Sequence, residues 1–255
     1  MFISDEQWKL FGPGLEIEKR SPFGRPRADS REVFEALLFV LYTGIQWRYL
    51  PTTFPPKSTV HDYLKIWSER MVFRKLLAQI VRQLAQTGRL NLAECHVDAT
   101  FVRGRGGGDG IGLTRHGKGS KTQLIVDGKG VPIALSQAPA DRGETHMVQQ
   151  TLAFGAEELP PERLIGDKAY DSDPLDEALA DLGIEMIAPH RKNRRPENKT
   201  QDGRALRRYP RRWHVERTIA WLGNHRRLLI RWEKQSALYL TFATLGCCLI
   251  ASRFL

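Results

Sequence analysis

Apolar residues recur every three to four positions through the first ninety residues, and the pattern then changes to strict alternation. Asp29 and Glu32 have the spacing of a capping box, and Val33, Phe34, Leu37, Leu38, Val40 and Leu41 follow at helical spacing. The stretch TGIQWRYLPTTFPPKS ends this helix with one glycine and three prolines. Ser58 is placed to cap a next helix, with Val60, Tyr63, Ile66 and Trp67 facing inward. A further helix is expected over residues 71–86, burying Phe73, Leu76, Leu77, Ile80, Val81 and Leu84. Two readings fit this helical region: a helix-turn-helix that reads DNA, and three packed helices with no DNA role.

Near residue 93 the period falls from 3.6 to 2. In ECHVDATFV, Cys95, Val97, Ala99 and Phe101 alternate with His96, Asp98 and Thr100, as in a strand with one buried face. KTQLIVDGKGVPIALSQA predicts two strands about a glycine-containing turn. A helix over 146–154, a strand in RLIGD, a helix over 173–182 and a strand in IEMIAP come next. Interleaved strands and helices predict an α/β domain over 91–255, preceded by a helical domain over 1–90. The apolar run from Ala237 to Ala251 is shorter than the roughly 20 residues a bilayer span needs. It predicts a buried C-terminal helix and no membrane partner, and MFISDEQWKLF has no apolar signal core.

Charge changes this picture. The chain carries a net charge of +10, and the segment from Arg191 to Lys234 holds 15 Lys and Arg against four acids. That surplus of 11 exceeds the net charge of the whole chain, so the remainder is close to neutral. A concentrated cationic strip points to a polyanion such as nucleic acid, with a solvated face as the plain alternative. Cys95, Cys247 and Cys248 form neither a disulfide framework nor a CxxC pair, which points to a reducing cytoplasm.

Three carboxylates stand out against this background. Asp98 interrupts a good strand pattern, where aspartate is disfavoured. Asp167 follows the apolar end of RLIGD, where α/β sheets present functional groups. Glu216 lies on the expected helix after Pro210, flanking the stripe of Val215, Ile219 and Leu222 and surrounded by Arg211, Arg212, Arg217, Arg226 and Arg227. Magnesium prefers hard oxygen ligands, so three such groups fit metal-assisted phosphoryl transfer.

HVDATFVR, GDKAYDS and YPRRWHVERTIAWL occur in this order, and GRPRADSREVFEALLFVLYTGIQWRYLP lies at the front of the chain. Together these stretches resemble the DDE transposases of bacterial insertion sequences, most closely the IS5 group. The resemblance covers most of residues 5 to 235. It implies a ribonuclease H-like catalytic fold, with Asp98, Asp167 and Glu216 as catalytic residues binding Mg2+, or Mn2+ in its place. It also implies that Tyr209 and Arg212, in a Y-x2-R-x3-E pattern, contact DNA beside the metal; an exposed helix with Arg212 paired to Glu216 at i,i+4 is the plain alternative. The lysine of that signature, seven residues after the glutamate, is Gly223 here; Arg226 or Arg227 in the next turn is expected to take its place, and these two and Arg217 are expected to contact DNA. The expected function is a transposase that binds terminal inverted repeats, cuts double-stranded DNA and joins it to target DNA as a homodimer on paired ends. A ribonuclease H-like nuclease without joining, and an inactive DNA-binding repressor, are the alternatives.

Several other signals carry less. GLTRHGKG approaches a phosphate loop, but Gly119 replaces its Ser or Thr and a strand follows it. RGRGGGDGIG is expected to be a mobile loop near DNA, with Arg115, Lys118 and His116 as phosphate contacts or solvated side chains. The histidines lack metal-ligand spacing, and His96 and His214 are read as structural, hydrogen-bonded side chains, with a place behind the metal ligands as the alternative. Asp171 and Asp173 rival Asp167, with Asp173 as a helix N-cap before Pro174.

Overall fold

The computed structural model describes residues 3–17, 26–155, 159–199 and 203–255. Gly24 and Arg25 of the quoted N-terminal stretch, and Asp202 of the basic segment, lie outside these residues. Among the described residues the first part is helical: α1 (Asp5–Phe11), α2 (Ser30–Thr43), α3 (Lys57–Glu69) and α4 (Val72–Gln86). Asp29 caps α2 as its spacing predicts, accepting the Arg31 N–H at 2.7 Å and the Glu32 N–H at 3.1 Å. The cap of α3 differs from expectation. It is Pro56, with no side-chain bond, because Pro56 fixes the entry and the helix already begins at Lys57.

Phe34 on α2 gathers Trp8, Phe11, Trp67 and Phe73 around it at ring separations of 5.5 to 6.5 Å. Buried Trp67 also donates its indole N–H to the Leu15 carbonyl at 3.0 Å, satisfying the one polar atom this cluster encloses.

The second part is a mixed sheet. Its strands are β1 (Cys95–Gly104), β2 (Gly112–Thr114), β3 (Gly117–Val126), β4 (Pro132–Pro139), β5 (Arg163–Ile165), β6 (Glu185–Ile187) and β7 (Ile230–Arg231). β4 pairs with β3 and β3 with β1, both antiparallel, while β5 and β6 continue beyond β1 in parallel. Five strands in the order β4-β3-β1-β5-β6 with this pattern of directions make the fold ribonuclease H-like. Helices α5 (Thr145–Ala153), α6 (Asp173–Ala180), α7 (Trp213–Gly223), the short α8 (Arg226–Leu229) and α9 (Ser236–Ala251) complete the chain.

α9 is apolar on nearly all sides because it is enclosed, packing on α3, α4, α7, α8 and β4. With the 3-10 turn after it, the stretch Ser236–Phe254 is 19 residues long and meets the length and apolarity of a membrane span, beyond the shorter run the sequence suggests. Here it serves as a core helix: 12 residues of α9 from Leu238 to Ala251 are buried, in a core that includes α2, α3, α4 and the sheet.

The glycine-rich segment is not a free loop. Arg105 N–H bonds the Arg231 carbonyl at 3.0 Å, and the Asp109 carboxylate accepts the Ser236 N–H at 2.6 Å. Fully buried Arg231 donates to the Gly110 carbonyl at 3.1 Å and to Ser120 Oγ at 2.5 Å. Gly108 has φ +101°, and a side chain there would run into the Lys234 carbonyl. The glycines thus permit close approach to residues 231–236, instead of providing mobility. The GLTRHGKG stretch is a hairpin of β2 and β3, with no helix N-terminus to receive a phosphate.

Candidate active site

β1 sits between β3 and β5, so its midpoint is the centre of the sheet. Its parallel pairing with β5 sets Cys95 beside Leu164 and His96 beside Ile165. Carried two residues further, this register brings Asp98, within β1, level with Asp167, which lies just past the carboxyl end of β5. Asp98 is partly buried, and its Oδ1 accepts the Ala99 N–H at 2.9 Å. Burial pushes the Asp98 carboxyl above its ordinary range, opposed by the charge of Arg212, while nearby Asp167 pushes the same way as burial. Asp167 begins the 3-10 turn Lys168–Tyr170 and accepts the Ala169 N–H at 2.7 Å.

Glu216 is carried by α7, which lies against β1 and β3. Thr218 donates to the Gly130 carbonyl at 2.7 Å and Arg217 to the Lys129 carbonyl at 2.6 Å, fixing the helix to the β3–β4 turn. The chain before α7 is a 3-10 helix, Ala205–Arg212, where the sequence predicts an α-helix opening near Pro210. It is held to the start of β1 by Glu94, which accepts Arg208 Nε at 2.7 Å and Arg211 Nη1 at 2.5 Å. Arg212 then joins two of the three carboxylates. Its Nη1 lies 2.8 Å from Asp98 Oδ2 and its Nη2 2.5 Å from Glu216 Oε1. The Tyr209 ring stands 6.0 Å from the same guanidinium.

Among the described residues no group of three or more His, Cys, Asp or Glu side chains is already disposed to hold a metal ion. The donor chemistry nevertheless suits Mg2+ or Mn2+, since all three candidates are carboxylates and two are adjacent. A positive group already stands between Asp98 and Glu216, so this position accepts a cation; the occupant is Arg212.

The other residues expected at the site are scattered. Arg217 stacks between Trp213 and Trp221, 4.6 and 4.5 Å from the ring centroids. Arg115 and Lys118 are exposed on the β2–β3 hairpin, where Gly119 pairs with Arg103. That level of β1 is roughly 17 Å from Asp98, at about 3.4 Å per residue. Arg226 is exposed at the start of α8. Arg227 corrects the expectation of a DNA contact, because its side chain is 3% exposed and paired with Glu233 at 2.5 Å. It also donates to the Ile45 carbonyl at 3.1 Å and lies over Trp47. Buried with an acid of its own, this arginine holds α8 to the helical part of the molecule.

Asp171 and Asp173 are engaged elsewhere. Asp171 accepts His190 Nδ1 at 2.9 Å and Arg191 N–H at 2.7 Å, and Arg194 bonds both aspartates. Ser172, not Asp173, is the N-cap of α6. His96 is buried with neither ring nitrogen bonded, and its ring stacks on His214 at 5.5 Å. Burial, and after it the neighbouring His214, push His96 down to about 4, so this pair is neutral packing beneath the site.

Gly223 occupies the place of the expected lysine, and a Cβ there would meet only Leu229, at 3.8 Å. A side chain therefore fits. Gly223→Lys is expected to raise stability by about 0.5 kcal/mol by removing glycine from the last turn of α7. Thermal melting of the purified variant checks this, and a lowered midpoint would refute the open-space reading.

The sheet is ribonuclease H-like, with Asp98 on its central strand, Asp167 just past the neighbouring strand and Glu216 on the helix that lies against β1 and β3. Residues 94–251 match the family model "Transposase DDE domain", and residues 3–77 match a transposase model of the IS4/5 family. The chain belongs to the transposase DDE domain family. It is 35% identical over 144 residues to a Burkholderia cepacia protein named as a transposase for insertion sequence element IS402. That match takes in 52% of this chain and 62% of the relative, so the chain spans less than two thirds of it. A 16.2 kDa protein of the same element, also from Burkholderia cepacia, is 30% identical over 118 residues, covering 44% of this chain and 80% of that protein. The cryo-EM structure of the piggyBac transposase synaptic complex with hairpin DNA is similar in fold, with a TM-score of 0.56 at 11% identity. The similarity covers 96% of this chain and 70% of that one.

Proposed function

We propose that this protein is a transposase that binds the ends of an insertion sequence, cleaves the DNA and joins it to a target. The observation that carries this reading is the bridge Arg212 makes between two acids from distant parts of the chain, Asp98 and Glu216. The β1–β5 register, extended two residues, sets Asp167 level with Asp98.

Asp98, Asp167 and Glu216 would hold Mg2+ or Mn2+, which supplies charge stabilisation to the attacking and leaving oxygens of a phosphodiester. Arg212 offsets part of the charge of Asp98 and Glu216 in the resting protein, and its fork of donors also suits a phosphate at the same place. Tyr209, whose ring stands 6.0 Å from the Arg212 guanidinium, is the proposed DNA contact beside it. In cleavage, water attacks the phosphodiester at the element end and a 3′ hydroxyl leaves. In joining, that hydroxyl attacks a target phosphodiester and takes the place of the bond it breaks. A strand-transfer assay with element ends and Mg2+ tests this. Joined product is expected; cleavage alone would establish the nuclease reading, and inertness with Mg2+ and Mn2+ the repressor reading.

The proposed division of labour gives DNA binding to residues 1–90 and chemistry to 91–255, acting as a dimer on paired ends. The buried free thiols of Cys95, Cys247 and Cys248 support a cytoplasmic setting, on the nucleoid when DNA is bound. Exposed Arg115, Lys118 and Arg226 are proposed phosphate contacts. Replacing Lys118 or Arg226 with Ala is expected to lower the slope of log affinity against log salt by about 0.9 each. Titrations at several salt concentrations check this, and an unchanged slope removes that residue from the DNA surface.

A further inference from the structure

The 3-10 helix Ala205–Arg212 sorts its side chains into three rows, because a turn of three residues sets i and i+3 above one another. One row, Tyr209 and Arg212, faces the site, where Arg212 reaches Asp98 and Glu216. A second row, Arg208 and Arg211, meets Glu94 just before β1. The third begins with Arg204 and Arg207, joined by the Arg207 N–H to the Arg204 carbonyl at 3.3 Å, and both residues are exposed. Eight residues is long for a 3-10 run, and the bonds to Glu94 and Asp98 brace it.

The second and third rows enclose a hollow of about 320 Å³, lined by Glu94, Arg204, Arg207, Arg208 and Arg211. Sites for small organic ligands are mostly apolar. Here every lining side chain among the described residues is charged, four positive against one negative, which suits a strong anion. Glu94 does not satisfy these cations. Its side chain is 14% exposed, and each of its oxygens takes a single arginine, Oε1 from Arg208 and Oε2 from Arg211. A guanidinium has five donors, and Arg211, 59% exposed, uses one on Glu94. Arg207 makes no side-chain bond among the described residues.

Position ties the hollow to the chemistry. Arg211 and Arg212 are consecutive, one bonded to Glu94 and the other to Asp98. Along the chain those two acids are roughly 14 Å apart, at about 3.4 Å per residue. A DNA strand advances about 3.4 Å per nucleotide along its axis, so at most about four nucleotides separate the two points. We propose that this hollow seats a backbone phosphate of the DNA strand that enters the site, with Arg207 and Arg211 as its donors and Glu94 fixing the frame. This rests on the reading that element-end DNA occupies the site.

The test is a gel shift with the purified full chain and a duplex of the element end. Single phosphates are replaced by uncharged methylphosphonates at each position within about four nucleotides of the element's terminus, where the cut is proposed. For the wild type, one such replacement is expected to weaken binding about 10-fold, through loss of a hydrogen bond between charged groups. Arg207→Ala is expected to bind unmodified DNA about 10-fold more weakly and to lose nothing further at that same position. Its melting point should match wild type, because Arg207 is exposed. Equal losses for wild type and Arg207→Ala at every position, or a wild type indifferent to all the replacements, overturn the phosphate seat alone. A wild type that does not bind the element end overturns the DNA reading and this inference with it.

Discussion

The Glu216→Gln protein is expected to bind element-end DNA with wild-type affinity and to cleave it at least about 100-fold more slowly in Mg2+. The magnitude is a lower bound, since groups that merely orient a ligand already change metal affinity or activity by up to about that factor. The separation of binding from cleavage follows from position. The Glu216 side chain is 54% exposed and contributes to no buried contact that the fold needs, so the amide should leave α7 intact. Arg212 keeps its bond to Asp98 in this variant, so the surface that meets DNA changes little. Gel-shift and cleavage assays on the same preparation give the two numbers. Cleavage within a few-fold of wild type would remove Glu216 from the chemistry.

Stability should respond most to the ion pair under Trp47. Glu233→Leu is expected to destabilise the protein by about 3 to 5 kcal/mol, because it strands the buried Arg227 charge without its acid. The double variant Arg227→Met, Glu233→Leu should recover much of this loss, since packed apolar groups can replace a buried pair at little cost. Urea unfolding measures both. A loss below about 1 kcal/mol in the single variant would mean that water reaches Arg227, contrary to its placement beneath Trp47 and Phe242.

The strand around Asp98 was legible because alternation is a local property, and so was the Asp29 cap, whose partners lie two and three residues away. The order of strands in the sheet follows from long-range pairing, which periodicity does not encode. β7 is the plainest case: two residues, Ile230 and Arg231, paired with Arg103 and Gly104 far back in the chain. Arginine was the hardest residue to read. Arg226, Arg227 and Arg231 look alike in a charge count, yet one is exposed, one is paired inside with Glu233, and one is fully buried among carbonyls, Ser120 and the Asp109 carboxylate. What separates them is the presence of acceptors from distant elements. The three acids of the candidate site were visible as types and spacing, and so was the i,i+4 pair of Arg212 with Glu216. The link from Arg212 to Asp98 was not, because it depends on the 3-10 geometry that turns residues 205–212 toward β1.

The enclosure of α9 also bears on the order in which the molecule is assembled. Cys248 bonds the Phe73 carbonyl across 175 residues, so the face of α4 that emerges early from the ribosome is covered only when the far end of the chain arrives. At about 5 to 20 residues per second, that delay is roughly 10 to 35 s. During this interval the nascent helices present a greasy surface that chaperones can hold, and a chain interrupted before α9 has nothing to seal it. Stop codons anywhere upstream of residue 236 should therefore yield aggregated or degraded fragments instead of a free DNA-reading head.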